Sequence, residues 1–133
     1  MPRAFSEHSI YTILHTDKLA DAARRGGPAT FRESRVWVTG KELWQRARAE
    51  GKDFPILLGD ATDCSKLVYW GLLTNVEIKG EETTYTIDRV RHLTGTHRPQ
   101  DLVLRSTGDH IAADFIRPYA ICLTPSFLDE GEV

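Results

Sequence analysis

Trp37, Trp70 and Tyr69 are the residues of this sequence whose types suit a recognition chemistry, and Asp60 and Arg35 stand near them along the chain. A nucleic-acid base taken out of its stack has to be desolvated, stacked on a flat surface and read at its edge. Each base–aromatic stack is worth roughly 1–3 kcal/mol. Tryptophan supplies the surface, and its ring quadrupole also attracts a cationic modified base. The Tyr69 hydroxyl and the Asp60 carboxylate are the edge readers, the carboxylate accepting from an exocyclic amine. Trp37 alternates onto a mixed face with Phe31, Glu33 and Arg35, so ligand contact and structure compete there. Trp70 shares its face with Val68 and Leu72, where core packing is the competing role. Only a bend at Gly71 would bring Trp70 to a pocket. Asp60 has helix capping as its alternative.

A basic stretch follows: Arg89, Arg91, His92, His97, Arg98 and Arg105, diluted by Asp88 and Asp101. Gathered on one side of a barrel, Arg89, Arg91, Arg98 and Arg105 would contact phosphates; dispersed, they are a solvated face. Arg24, Arg25, Arg32 and Arg35 make a second, weaker cluster. The net charge of -2 excludes a protein that coats nucleic acid by bulk electrostatics, so a local basic face has to do the work.

Signatures of enzymes are mostly missing. There is no glycine-rich phosphate loop, no nucleophile elbow and no zinc-deaminase pattern. A Thr39 activated by Lys41 is an alternative, although Thr39 is explained as a helix cap. The two cysteines, Cys64 and Cys122, are far apart, and the five histidines are scattered without metal-ligand spacing. No metal or cofactor is expected. No apolar run is long enough to span a bilayer, and the first residues lack the apolar core of a secretory signal. The expectation is a cytoplasmic protein with reduced thiols, no membrane partner, and one domain over residues 1–133.

The elements that must position these residues are short. Ile10 to His15 reads as a strand, and a helix follows from Thr16 or Asp17 to Arg25, stopped by Gly26-Gly27-Pro28. Phe31 to Val38 reads as a strand. Thr39 to Glu42 is a capping box that opens a helix to about Glu50, with Leu43, Trp44 and Ala47 as its buried stripe. Phe54 to Leu58 is an apolar strand, and Ala61 to Lys66 is a helical turn capped by Asp60 or Thr62. Leu67 to Ile78 alternates as a long strand, bent or bulged at Gly71. It returns through Lys79-Gly80-Glu81-Glu82 into Thr83 to Ile87 as a hairpin. Asp88 to Pro99 reads as irregular. Leu102 to Ser106 and Tyr119 to Thr124 read as the last strands; His110 to Ile116 fits strand or helical turn equally. Both helices fall in the first half and the second half is nearly all strand. That distribution argues an α+β fold, with a mostly antiparallel, strongly curved sheet or barrel and helices packed at one end.

This order of elements, with Tyr69-Trp70-Gly71, a hairpin, then Arg117-Pro118-Tyr119 and Thr124-Pro125, resembles the PUA-like superfamily. Its EVE and ASCH domains are the nearest branches, beside the YTH and SRA domains. The resemblance implies a bent barrel with flanking helices and a role in RNA-binding or DNA-binding, with modified base recognition in a pocket beside the barrel. It extends over most of the chain. The Gly-x-Lys-x-x-Glu pattern of ASCH domains is met only by Gly40-Lys41-Glu42, with a different spacing. The implied function is a nucleic-acid-binding module. The alternatives are a small ASCH-like amidohydrolase acting on a modified nucleoside, and a protein-interaction domain.

Overall fold

The computed structural model describes residues 4–60, 63–111 and 119–128, apart from the side chains at 16, 60, 63–65 and 94–96. The chain is α+β. Among the described residues, six strands form one mixed sheet, and two α-helices pack on it. In chain order these are β1 (His8–Leu14), α1 (Thr16–Arg25), β2 (Ala29–Glu33), α2 (Val38–Ala49), β3 (Pro55–Asp60), β4 (Asp63–Lys79), β5 (Glu82–His97) and β6 (Tyr119–Leu123). The sheet order is β2-β5-β4-β3-β1-β6. Only β1 and β3 run parallel; the other neighbours are antiparallel. The sheet is not closed into a barrel, since β2 and β6 are its two ends.

Both faces of the sheet are apolar and both are covered. Neighbouring residues along a strand point to opposite faces. So Ile10, Ile56, Leu58 and Tyr69 join one core cluster with Leu19 of α1 and Leu43 and Trp44 of α2. Tyr11, Leu57 and Trp70 join another, closed by Phe5, Leu102, Ile111 and Leu128 from outside the sheet. This two-sided burial explains why the segment from Phe54 to Leu58 is continuously apolar rather than alternating. Cys122 belongs to the second cluster, and burial pushes its thiol up to about 12. Thiolate is the reactive form. Native protein should therefore leave Cys122 unlabelled by iodoacetamide until it unfolds; labelling as fast as a free thiol would contradict this packing.

The helices are held by specific bonds. α1 ends at Gly26, in the left-handed region at φ 72°, its N–H donating to the Ala22 carbonyl, as the Gly-Gly-Pro signal predicts. α2 is fixed at mid-length by Trp44, whose Nε1–H donates to the Leu73 carbonyl on β4 (3.1 Å). Its start departs from the sequence reading. The strand expected over Phe31 to Val38 stops at Glu33, and the helix begins at Val38 with Trp37 as N-cap. Thr39 is thus inside the first turn, and the capping box does not form. Thr83 fixes the crossing: its hydroxyl donates to the Arg35 carbonyl (2.6 Å) and accepts the Trp37 N–H (3.0 Å). A tryptophan side chain cannot cap the Gly40 amide at the third helical position. The Tyr119 hydroxyl on β6 accepts it instead (3.0 Å).

β4 and β5 form a hairpin through Gly80, at φ 60°. The expectation that Asp88 to Pro99 is irregular is corrected: β5 runs to His97, its alternation interrupted by bulges. Trp70 pairs with Arg91 and Leu72 with Asp88, so Gly71 alone opposes Arg89 and Val90. Arg89 absorbs the extra length at φ 56°. The helical turn expected from Ala61 to Lys66 is corrected from residue 63 on, because β4 begins there, with Asp63 paired to Asp60 of β3. Ala61 and Thr62 lie outside the described residues. Leu102 to Ser106 is not a strand. Val103 bridges His110, Leu104 bridges Cys122, and the chain then turns through Gly108 at φ 74°. Residues 112–118, with Arg117-Pro118, lie outside the described part.

Candidate functional site

The sequence-predicted pocket residues are not brought together. Trp37 is wholly buried. Its ring lies between Tyr85 of β5 (4.4 Å, 24°) and Tyr119 of β6 (4.8 Å, 12°). It therefore bridges two strands that are not neighbours in the sheet, and it belongs to the helix-side core. The mixed face assigned to it disappears with the strand that would have carried it. Trp70 is on the opposite face, 2 % exposed, edge-on to Phe5 (5.7 Å). Tyr69 is buried on the helix side and tilts against His92 (4.3 Å). Trp37 and Trp70 consequently do not share a cavity wall. Arg35 is exposed, 4.0 Å from the Glu33 carboxylate. Asp60 ends β3, and its side chain lies outside the described residues.

The four arginines of the basic stretch have different surroundings. Arg89 is exposed on the β5 bulge. The Arg91 guanidinium lies over the Trp70 ring at 4.4 Å and donates from Nε to the Arg89 carbonyl (3.0 Å). Arg98 reaches Asp101 at 3.9 Å. Arg105 lines a cavity.

That cavity, of about 320 Å³, opens where α2 begins beside β6. Thr39 contributes from α2; Leu104, Arg105 and Ser106 contribute from the turn; Tyr119, Ala120 and Ile121 contribute from β6. Local structure places each. The Arg105 N–H donates to the Ile121 carbonyl (3.0 Å) and fixes the turn against β6. Gly40 lets α2 approach Tyr119: a Cβ at position 40 would stand 2.7 Å from the Tyr119 hydroxyl oxygen and 3.0 Å from Ile10 Cδ1. Burial pushes the Tyr119 phenol up, opposed by the Gly40 N–H that it accepts. At neutral pH the hydroxyl therefore keeps its proton while it accepts from Gly40. The positive end of the α2 dipole and the Arg105 charge both bias this cavity toward an anionic group.

Comparison with known protein families, with curated proteins and with solved structures finds no match to this chain. Function has to be argued from the cavity itself. Its chemistry combines one aromatic ring, apolar walls, three hydroxyls and one guanidinium. Such a lining suits a small planar group carrying or flanking a negative charge. Among the described residues, no group of three or more His, Cys, Asp or Glu side chains could hold a metal ion. No helix is long and apolar enough to cross a membrane.

Sequence reasoning singled out Arg105 but missed Tyr119, Thr39 and Ser106 as its neighbours. Tyr119 read as the first residue of a strand, and Thr39 as a cap. Nothing local reports that position 119 meets position 40.

Proposed function

We propose that the protein is a nucleic-acid-binding module which receives a modified or flipped base in the cavity beside Tyr119, with Arg105 on an adjacent phosphate. The observation that carries this reading is the lining, which places an aromatic ring, edge-reading hydroxyls and a guanidinium around one opening. Tyr119 offers the stacking surface, backed by Trp37 and Tyr85. Thr39 and Ser106 offer donors and acceptors to a base edge. The resemblance to PUA-like domains supports the same reading, and the mostly antiparallel sheet with two helices is compatible with it. The PUA-like assignment and a cytoplasmic setting are parts of the proposal.

The test is a binding screen with modified and unmodified oligonucleotides at about 50 and 200 mM salt. Arg105→Ala should weaken binding about equally for all sequences and lower the salt slope by about one unit. Tyr119→Leu should remove the preference for the modified base. An unchanged slope in Arg105→Ala, with preference intact in Tyr119→Leu, would reject the cavity as the site.

A second reading has one observation in its favour. Thr39 lines the cavity and does not cap the helix, which leaves its hydroxyl available for a small amidohydrolase acting on a modified nucleoside. Release of acid from an N-acylated nucleoside, lost in Thr39→Ala, would promote it above the binding module.

A further inference from the structure

The second basic cluster of the sequence has no part in the cavity beside Tyr119. Two of its members, Arg25 and Arg32, line a groove of about 380 Å³ between α1 and β2. One wall is Lys18, Asp21, Ala22 and Arg25, a single face of α1 by their spacing. The other is Ala29, Thr30, Phe31 and Arg32, four consecutive residues of β2. Consecutive strand residues point to opposite faces, so four in a row can border one groove only along the strand's edge. β2 is the last strand of the sheet and pairs only with β5. Among the described residues, no strand lies on its other side.

We propose that this groove docks an extended acidic segment of a protein partner, which adds to β2 as a further strand and sets its carboxylates on Lys18, Arg25 and Arg32. This surface is separate from the proposed base cavity. An open strand edge presents alternating N–H donors and carbonyl acceptors, and a peptide answers both. A phosphodiester chain only accepts, and it would meet the Asp21 carboxylate in the middle of the helix wall. A second copy of this chain docked in the groove edge to edge would set two rims of Lys18, Arg25 and Arg32 near each other, which discourages self-pairing. Three cations against one carboxylate, itself held by Arg24 (2.8 Å) and Arg25 (3.2 Å), match an acidic occupant. The half-buried Phe31, with Ala22 and Ala29, gives its alternate side chains an apolar floor.

The test is fluorescence anisotropy of the full chain with a labelled peptide of Glu-Glu-Val repeats, which carries Glu on both faces of an extended strand. Two N-methylated versions block one or the other of the peptide's two hydrogen-bonding edges. The parent peptide should bind. One methylated version should bind about as well, and the other at least about tenfold more weakly, because only one edge meets β2. Lys18→Glu with Arg32→Glu, both on exposed side chains, should cost the parent peptide about tenfold. No binding of the parent peptide would overturn the proposal. So would equal binding of both methylated versions, which would mean charge attraction alone. Displacement of the peptide by oligothymidylate of equal charge would overturn it in favour of a nucleic-acid groove.

Discussion

Trp37→Ala should lose about 3–5 kcal/mol of stability, the cost of emptying a large aromatic site that cannot collapse. The site cannot collapse because each of its walls is held by something other than Trp37. Tyr85 is held on β5 between β4 and β2, opposite Val76 and Phe31, and Tyr119 is anchored by the Gly40 amide. The two rings lie on strands that are not sheet neighbours, and Trp37 fills the space between them. A loss of this size is a large fraction of the roughly 5–15 kcal/mol that stabilises a typical domain. Urea denaturation followed by circular dichroism should show the midpoint falling steeply. Trp37→Phe, which keeps a ring in the stack, should fall less. A Trp37→Ala midpoint close to the parent's would mean that the tryptophan is not a core residue.

Gly71→Ala should cost about 1–3 kcal/mol, by overpacking rather than by a cavity. A methyl group at position 71 would stand 2.5 Å from Ile87 Cγ2 and 3.0 Å from the Asp88 carbonyl oxygen. Ile87 is fully buried and β-branched, so it has little freedom to turn aside. The Asp88 carbonyl is backbone at the start of the bulge. The bulge itself would have to move, and with it Arg91, which reaches Trp70 across the sheet. A midpoint unchanged by Gly71→Ala would show that the β4–β5 bulge is looser than this packing requires.

Local signals were legible where local physics decided the outcome. The glycine stop after α1, the long β4 strand, its return through Gly80 and the irregularity at Gly71 all follow from residue types and spacing. The start of α2 was not legible. Thr39-Gly40-Lys41-Glu42 has the composition of a capping box, yet Trp37 is drawn between two tyrosines, and the helix starts two residues sooner than the box requires. Tyr119, 79 residues further along, then takes over the capping of Gly40. The length of β5 is hidden in the sequence because its bulges break the alternation that marks a strand. The candidate site was legible in Arg105 and, as an alternative nucleophile, in Thr39. Trp37 and Trp70 drew attention as aromatics, but two-sided burial of the sheet turned both inward, on opposite faces.

The central claim is that a base enters the cavity beside Tyr119. Photocrosslinking with an oligonucleotide carrying 5-iodouracil, followed by mass spectrometry of the digested protein, tests it most directly. An adduct is expected on Tyr119, lost in Tyr119→Leu and reduced in Arg105→Ala. Adducts confined to other parts of the surface, unchanged by either substitution, would contradict it.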